Sequence, residues 1–235
     1  MRRRSIIHRP QNSVLLCLRW TADREPWTRS DKRMFTGIVQ EIGTVALVKR
    51  SHGLVRLTID APKTTARVQR LESVAVSGVC LSVIEVGRGT LSFEMIGETQ
   101  RLTRLSGLRE GDRVNLEPSL SISDRLGGQI LFGHVDGTGT IVKRHQRSGE
   151  LVLEIRVLPL LRKFLVAKGP IAVDGVSLTV GQTVRANSFT VHLIPETLRQ
   201  TTLISLSIGD RVNIELDYIA KLVWNFLQRR GRSVL

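Results

Sequence analysis

The stretch IAVDGVSLTV at residues 171–180 decides the fold, and it has a near-copy, VAVSGVCLSV, at residues 74–83. Both stretches are rich in β-branched and apolar residues, which favour β-strands. A glycine interrupts each of them, Gly175 in the later copy and Gly78 in the earlier one. Glycine weakens packing inside a strand and usually marks a bulge or the close approach of a ligand or another backbone. We therefore expect such a feature at both glycines.

A side chain that can take part in chemistry stands two residues after each glycine. It is Cys80 in the first copy and Ser177 in the second, and two residues further on are the hydroxyls of Ser82 and Thr179. Because successive side chains of a strand point to opposite faces, the reactive atom and the hydroxyl are expected to share one face. The two copies therefore predict the same geometry with different chemistry.

The two stretches belong to an internal repeat that covers most of the chain. Gly78 and Gly175 are 97 residues apart, and the module openings that end in Gly37 and Gly133 are 96 residues apart. Two more motifs recur after 98 residues. The motif ETxR stands at residues 98–101 and 196–199, and the motif GDRVN, followed by Leu or Ile and then Glu, stands at residues 111–117 and 209–215. Four anchors in one order predict a tandem duplication of a module of about 100 residues, which is the size of a domain.

Each module has the pattern of an all-β domain, in which about six short strands alternate with turn residues. Residues 74–86 are interpreted as one strand of the first module, and residues 171–180 as one strand of the second. A barrel or a sandwich fits this pattern, and we expect a closed barrel because an open sheet would leave long exposed edges. The polar, glycine-rich residues 121–128 mark the boundary, so the predicted barrels span residues 34–128 and 129–216.

Residues 217–235 differ from the barrels and predict a C-terminal helix. Their apolar residues are spaced for one helical face: Ile219, Leu222, Val223, Phe226 and Leu227. Asp217 precedes this run at the position of an N-cap. Since a helix of three turns is marginal alone, it is expected to pack on the body or on other subunits. The apolar stripe favours self-association.

The charge and the cysteines exclude some classes of protein. The formal net charge is +14, but residues 1–33 hold nine Lys and Arg against three Asp and Glu. The remaining positive charges are scattered and do not alternate with aromatic residues, which argues against a nucleic-acid partner. Cys17 and Cys80 give neither a disulfide framework nor the spacing of metal ligands, and they fit the reducing cytoplasm. No apolar run is long enough for a membrane span, so no membrane partner is expected.

Residues 1–33 have no counterpart in the repeat. Their arginines suggest a transit peptide, whereas Asp23, Glu25 and Asp31 argue against one. We favour a disordered or over-long extension, with Met34 as the working start.

Several motifs carry a close resemblance to the riboflavin synthase α-chain family. They are MFTGIV at residues 34–39, SGVCLS at 77–82, LGGQILFGHVDG at 126–137, VDGVSLT at 173–179 and HLIPETL at 192–198. The resemblance extends from Met34 to about Trp224, with the motifs in family order. It implies an all-β fold of two tandem, homologous, six-stranded antiparallel Greek-key barrels plus a C-terminal α-helix that assembles a homotrimer.

The reaction implied by the resemblance is a dismutation in the last step of riboflavin biosynthesis. One 6,7-dimethyl-8-ribityllumazine donates a four-carbon unit to another, which gives riboflavin and 5-amino-6-(D-ribitylamino)uracil without a metal or redox cofactor. Two near-identical substrates would explain two near-identical pockets, and much of the rate should come from holding both reactants in register. In the family, the N-terminal barrel of one subunit faces the C-terminal barrel of its neighbour. Lumazine synthase is a further partner that we consider.

The resemblance also assigns site residues, of which six are expected to be catalytic: Cys80, His134 and Ser73 on the N-terminal side, and Ser177, Thr179 and Asp217 on the C-terminal side. The pocket of the N-terminal barrel would be lined by Gly37, Ile38, Val39, Cys80, Leu81, Ser82, Glu94, Met95, Ile96, Gly97, Glu98 and Thr99. The pocket of the C-terminal barrel would be lined by Gly133, His134, Val135, Lys168, Ser177, Leu178, Thr179, His192, Leu193, Ile194, Pro195, Glu196 and Thr197. Which barrel holds the donor does not follow from the sequence.

Simpler interpretations stand beside these assignments. A cysteine in a strand is more often a small buried hydrophobe than a catalytic residue. Asp217 can act as a helix cap, with or without a catalytic role. Glu98 and Glu196 can form surface ion pairs with the arginines of their motifs. The recurrence of the ETxR motif in both modules favours a role of Glu98 and Glu196 in the pockets.

Three residues depart from the family pattern and keep a second function open. Gln129 stands where many members have a second histidine, Ser77 where asparagine or aspartate is common, and Ser82 where threonine is usual. The family has relatives that bind lumazines or flavins as carriers without catalysis, and this chain could be one of them. The joint presence of Cys80, His134, Ser177 and Asp217 favours the enzyme.

Overall fold

The computed structural model describes residues 34–147 and 149–231. Within these residues, twelve strands form two closed antiparallel barrels of six strands each. The strands of the first barrel are β1 (Glu41–Ser51), β2 (Leu54–Asp60), β3 (Ser73–Val76), β4 (Val79–Val86), β5 (Thr90–Met95) and β6 (Arg113–Pro118). Those of the second are β7 (Gly137–Arg147), β8 (Glu150–Val157), β9 (Pro170–Val173), β10 (Val176–Arg185), β11 (Ser188–Leu193) and β12 (Arg211–Leu216).

The two barrels share one topology, which confirms the predicted duplication and fold class. The strand order is β1-β2-β5-β4-β3-β6 in the first barrel, and β7-β8-β11-β10-β9-β12 in the second, with both rings closed. The order departs from the chain order in the manner of a Greek key, and each closed ring leaves no open sheet edge. The predictions for residues 1–33 and for the tail 232–235 lie outside the described residues.

Short helices connect the strands. They are α1 (Pro62–Thr65), α2 (Gly97–Leu102) and α3 (Pro195–Gln200), and the described residues end in α4 (Tyr218–Gly231), the predicted C-terminal helix. The helices α2 and α3 carry the two ETxR motifs and occupy equivalent positions in the repeat. No helix within residues 34–147 and 149–231 is long and apolar enough to cross a membrane.

Each barrel encloses its own apolar core, because alternate residues of each strand point inward. In β2, Val55, Leu57 and Ile59 are buried, and the aromatic rings of Phe93 and Phe189 fill the first and second cores. The same alternation decides which residues face outward on the two strands with reactive side chains. Val79 and Leu81 enter the core and leave Cys80 half-buried on the other face, with Ser82 exposed beside it.

The interpretation of residues 74–86 and 171–180 as single strands is wrong. Each stretch is a hairpin, with a turn at Ser77–Gly78 between β3 and β4 and at Asp174–Gly175 between β9 and β10. The φ angles are 43° and 80° in the first turn and 47° and 76° in the second. Positive φ at both central residues is the signature of a type I′ turn, for which the dipeptide Asp-Gly is strongly preferred.

The two turns meet back to back, so the structure selects the close approach of another backbone from the alternatives expected at these glycines. A Cβ on Gly78 would lie 2.6 Å from the backbone nitrogen of Gly175, and a Cβ on Gly175 would lie 2.6 Å from that of Gly78. Asn115 donates its side-chain amide to the carbonyl of Asp174 (2.9 Å), and Asn213 donates to that of Ser77 (2.8 Å). This reciprocal pattern relates the barrels by an approximate two-fold axis.

One ion pair breaks that symmetry. The guanidinium of Arg104 donates to Asp174 at 2.8 Å and to the hydroxyl of Ser77 at 3.2 Å, whereas the equivalent of Arg104 in the second module is Thr202. Burial alone would lower the pKa of Arg104, but the attraction and the hydrogen bond of Asp174 raise it. Ser77, one of the departures from the family pattern, therefore acts as a hydrogen-bond acceptor at the barrel interface.

Candidate active sites at the two barrels

The segments that open the two modules cross to the opposite barrels. Ser177 on β10 donates its backbone N–H to the carbonyl of Gly37 (2.9 Å), and Cys80 on β4 donates its own to the carbonyl of Gly133 (3.0 Å). Phe35 and Leu131 join the two segments by an antiparallel bridge. The first module's opening thus lies on the second barrel, and the second module's opening lies on the first.

This crossing corrects the predicted pocket assignments. The side chain of Val39 packs against the core of the second barrel, and that of Val135 packs against the core of the first. Gly37–Val39 were predicted to line the N-terminal pocket and Gly133–Val135 the C-terminal pocket, and both assignments are wrong. Each segment lies ahead of the first strand of its own barrel, and the repeat itself does not specify which barrel it touches.

Only glycine fits at the point where each segment meets the reactive strand. A Cβ on Gly37 would lie 2.6 Å from the Cβ of Ser177, and a Cβ on Gly133 would lie 2.5 Å from the Cβ of Cys80. Both glycines also have positive φ angles, 78° and 69°. The two motifs therefore need glycine for its conformation and for the space it leaves.

Two buried glutamates hold the crossing segments. Glu117 on β6 accepts from the backbone N–H of Thr36 (2.7 Å), from its hydroxyl (2.8 Å) and from the N–H of Gly37 (2.9 Å). Glu215 on β12 accepts from the N–H groups of Phe132 (2.8 Å) and Gly133 (3.1 Å). Burial raises the pKa of both carboxyl groups, against the opposing effect of these hydrogen bonds. In the sequence, both residues were identified only as anchors of the repeat.

A cavity of about 360 Å³ adjoins the reactive cysteine, and we call it the Cys80 pocket. Its walls include six residues that the sequence predicted for one pocket or the other: Cys80, Glu98, Thr99, Gly133, His134 and Val135. The crossing of the second segment places His134 in this pocket, where its exposed ring stacks on that of Phe132 at a centroid distance of 6.1 Å. The thiol and the imidazole therefore share one cavity.

Two charged residues of the Cys80 pocket were not predicted from the sequence. Lys221 on α4 places its ammonium 2.9 Å from both carboxylate oxygens of Asp136, and both residues line the cavity. Asp136 lies in the quoted motif LGGQILFGHVDG, but nothing in the sequence indicated its partner on the helix. Asp217 caps α4 as expected, since its carboxylate accepts from the N–H of Ile219 (3.1 Å). Asp217 was predicted to serve the C-terminal site, but it is not among the described residues that line the cavity beside Ser177.

A larger cavity of about 740 Å³ adjoins Ser177, and we call it the Ser177 pocket. Seven predicted residues line it: Lys168, Ser177, Leu178, Thr179, His192, Ile194 and Thr197. Its wall also contains Lys143, whose ammonium lies 2.8 Å from Glu154. The cavity therefore combines hydroxyl groups and charges with apolar side chains. The described residues contain no group of three or more His, Cys, Asp and Glu side chains that could hold a metal ion.

Other predicted residues lie elsewhere. Leu81, Met95 and Leu193 face the barrel cores and do not line a cavity, because inward and outward residues alternate within each predicted run. Ser73 is buried on β3 and lies opposite Ser82 across the ladder to β4. The exposed predicted residues include Ile38, Ile96, Gly97 and Pro195.

Two predicted glutamates form surface ion pairs. Glu94 lies 3.0 Å from Arg56. Glu196 accepts from Arg199, as the simpler interpretation of its motif proposed, whereas Glu98 lines the Cys80 pocket. The hydrogen bond from Arg199 lowers the pKa of Glu196. Gln129, a departure from the family pattern, donates its backbone N–H to the carbonyl of Thr36, and its side-chain nitrogen has no hydrogen-bond partner among the described residues.

Both barrels match one family model, the lumazine binding domain, over residues 36–119 and 132–217. The riboflavin synthase of Mycobacterium tuberculosis (strain H37Rv) is 42% identical over 201 residues, which cover 84% of this chain and 100% of that protein. That of Bacillus amyloliquefaciens is 40% identical over 200 residues, covering 85% and 93%. That of Escherichia coli (strain K12) is 39% identical over 208 residues, covering 83% and 92%.

Solved structures show the same fold. A crystal structure of LumP complexed with 6,7-dimethyl-8-(1'-D-ribityl) lumazine has a TM-score of 0.72 at 23% identity and covers 78% of this chain and 99% of that one. The riboflavin complex of LumP has the same TM-score and coverage at 25% identity. The fold and its two cavities define a tandem lumazine-binding β-barrel protein. The chain belongs to the riboflavin synthase family, and its curated relatives are enzymes.

Proposed function

We propose that the chain is a riboflavin synthase, a transferase that converts two 6,7-dimethyl-8-ribityllumazine molecules into riboflavin and 5-amino-6-(D-ribitylamino)uracil. The observation that carries this proposal is the pair of equivalent strands, β4 and β10, that present different reactive side chains beside two cavities. One reactant would occupy each kind of cavity. The two products contain every atom of the two substrates, so the reaction needs no further oxidant, reductant or co-substrate.

The Cys80 pocket supplies groups for proton transfer. The thiol of Cys80 and the imidazole of His134 line one cavity with the Lys221–Asp136 ion pair. Proton transfer is needed at the acidic 7-methyl group of one lumazine and at the adduct formed at C7 of the other. A histidine is suited to both directions of transfer, because its ordinary pKa lies near neutrality. We propose that Cys80 and His134 serve one of the two lumazines.

The Ser177 pocket suits the second reactant. Ser177 and Thr179 offer hydroxyl groups, and Lys143 and Lys168 offer ammonium groups around the same cavity. Such groups can bind the hydroxyls of a ribityl chain and the carbonyls of a pyrimidinedione ring, while Leu178 and Phe189 provide apolar contact for the ring system. This combination of polar and apolar groups supports a role in binding and orienting the lumazine.

A non-catalytic lumazine or flavin carrier is the second candidate. The observation that favours it is the fold shared with LumP, whose solved complexes contain a lumazine and riboflavin. A carrier needs the cavities but needs neither the thiol nor the imidazole. The pairing of Cys80 with His134 in one cavity therefore favours the enzyme.

Turnover by the full chain tests the proposal directly. We expect that incubation with 6,7-dimethyl-8-ribityllumazine yields one riboflavin and one 5-amino-6-(D-ribitylamino)uracil for every two lumazines consumed. Absorbance of riboflavin, combined with chromatographic measurement of both products, gives this ratio. Binding of the lumazine without riboflavin formation, seen as a change in its fluorescence, would instead make the chain a carrier.

We propose that α4 assembles a homotrimer, which would bring the Cys80 pocket of one subunit to the Ser177 pocket of the next. The support is the predicted apolar stripe, since Ile219, Leu222 and Val223 are 64%, 51% and 53% exposed in the single chain. An apolar stripe of this kind marks an interaction surface. A cytoplasmic location and lumazine synthase as a partner also remain proposals.

The trimer is tested by Leu222→Asp, which places a charge in the middle of the stripe. We expect sedimentation equilibrium to give three times the chain mass of 26.2 kDa for the unaltered protein and a smaller assembly for the variant. Asn225→Asp is the control, because it adds the same charge at an exposed polar position of α4. A monomeric unaltered protein, or a variant that remains trimeric, would contradict the proposal.

A further inference from the structure

Glu117 and Glu215 are buried without an ion-pair partner among the described residues, although they are only 6% and 5% exposed. Each lies on the outer face of its strand, opposite to the core residues, and so points to the interface between the barrels. Burying a carboxylate is costly unless hydrogen bonds satisfy it. An apolar residue would fill the same space more cheaply, so packing does not account for the carboxylates.

Both carboxylates bind the backbone of a crossing segment in the same way. The two oxygens of Glu117 accept from the successive N–H groups of Thr36 and Gly37, and those of Glu215 accept from Phe132 and Gly133. Two bonds from successive N–H groups fix the position and orientation of the peptide between them. Each glutamate therefore determines where its glycine lies.

Each glycine in turn binds the reactive residue of the opposite barrel. The carbonyl of Gly37 accepts from the N–H of Ser177, and that of Gly133 accepts from the N–H of Cys80. His134 follows Gly133 directly, so the position of its imidazole in the Cys80 pocket depends on the same peptide. Two series of hydrogen bonds therefore run from a carboxylate, through a glycine, to a reactive residue. Each bond in them is 3.1 Å or shorter and joins backbone or carboxylate atoms.

We propose that Glu117 and Glu215 are positioning residues that act across the barrel interface. Glu117, in the first barrel, positions Ser177 in the Ser177 pocket, and Glu215, in the second barrel, positions Cys80 and His134 in the Cys80 pocket. Their effect on turnover rests on the proposed function, whereas their effect on the two crossing segments does not.

The carboxylate is specific to this task because it accepts at both oxygens. A glutamine of nearly the same shape has one oxygen and one NH₂ group, so it would present a donor to one of the two backbone N–H groups. That loss leaves a buried N–H unsatisfied, which weakens the hold of the carboxylate on the segment. The segment should then detach more often from the reactive strand, even where the barrel itself stays folded.

Hydrogen exchange of individual backbone amides tests this without any turnover. In the full chain, Glu117→Gln should speed exchange of the Ser177 amide about tenfold or more and leave the Cys80 amide unchanged. Glu215→Gln should speed exchange at Cys80 and leave Ser177 unchanged. Residue-resolved exchange, read by NMR or by fragmentation mass spectrometry, gives both rates in one sample.

Glu41 provides the matched control. It is 9% exposed on β1 and also accepts two backbone N–H groups, from Lys63 (3.1 Å) and Thr64 (2.6 Å), but these belong to α1 and not to a crossing segment. Glu41→Gln should leave both reactive amides unchanged. If it changes them as the other two variants do, or if either variant affects both amides or the wrong one, the proposal is overturned.

A milder variant covers the case in which Glu117→Gln does not fold. Thr36→Val removes the hydroxyl that donates to Glu117 at 2.8 Å and accepts from the N–H of Ile38 at 3.2 Å, and it keeps the two backbone N–H bonds to the carboxylate. It should raise exchange at Ser177 by a smaller factor in the same direction, and an unchanged rate would overturn the proposal. For turnover, each Gln variant should lower kcat for the lumazine with an unchanged far-ultraviolet circular dichroism spectrum. Loss of the exchange pattern and loss of turnover are thus separate results.

Discussion

Replacing Cys80 by serine or His134 by glutamine is expected to lower the turnover of 6,7-dimethyl-8-ribityllumazine about 100-fold in each case. Proton transfer by a positioned side chain contributes about 100-fold to 10,000-fold to a rate, and both residues line the same cavity. If they act as a unit, the double variant should be little slower than the slower single variant. Steady-state kinetics of the three variants measure these effects.

His145→Gln is the control for the histidine, because His145 is exposed on β7 and is not among the described residues that line the Cys80 pocket. It should retain full turnover. Unchanged turnover in both Cys80→Ser and His134→Gln would remove these residues from the mechanism. Urea unfolding of each variant separates a loss of chemistry from a loss of folded protein.

The largest effect on stability is expected from Gly175→Ala, at the contact between the two turns. The new Cβ would lie 2.6 Å and 2.8 Å from the backbone nitrogen and Cα of Gly78, and neither atom belongs to a flexible side chain that could move away. The φ angle of 76° adds strain for any residue with a Cβ. We expect the free energy of unfolding to fall by about 3 kcal/mol or more, measured by urea titration.

Gly53→Ala separates the two causes of that loss. Gly53 has a φ angle of 79°, but a Cβ there would meet nothing within 4 Å. Its substitution should cost only the conformational strain, about 1 kcal/mol. Equal losses for the two variants would show that the contact between the turns contributes nothing to stability.

The sequence predicted the barrels and an irregular feature at each of the two glycines, because local patterns decide them. The repeat anchors required two equal modules, and strand alternation placed Cys80 and Ser82 on one face. The same alternation, applied within each copied motif, would have removed Leu81, Met95 and Leu193 from the predicted pockets. The second hairpin could also have been predicted from the sequence, since the dipeptide Asp174–Gly175 is a preferred sequence of a type I′ turn.

The crossing of the segments was not predictable in this way. The opening that ends in Gly37 would have the same sequence whether it touched its own barrel or the other one, because the contact is between backbone atoms. Glu117 and Glu215 were missed for a related reason, since a polar residue on the outer face of a strand is ordinarily solvated. Lys221 was missed because its partner Asp136 lies 85 residues earlier in the chain.

The crossed segments make this chain the covalent equivalent of a segment-swapped homodimer. In a dimer of identical single-barrel subunits, every substitution would appear on both sides of the axis, and both cavities would carry the same chemistry. Joining the halves into one polypeptide removes that restriction. Equivalent positions can then hold different residues, Cys80 in one half and Ser177 in the other, and likewise Arg104 and Thr202. The first half also depends on the second, because the first barrel alone would lose Gly133, His134 and Val135 from the wall of the Cys80 pocket.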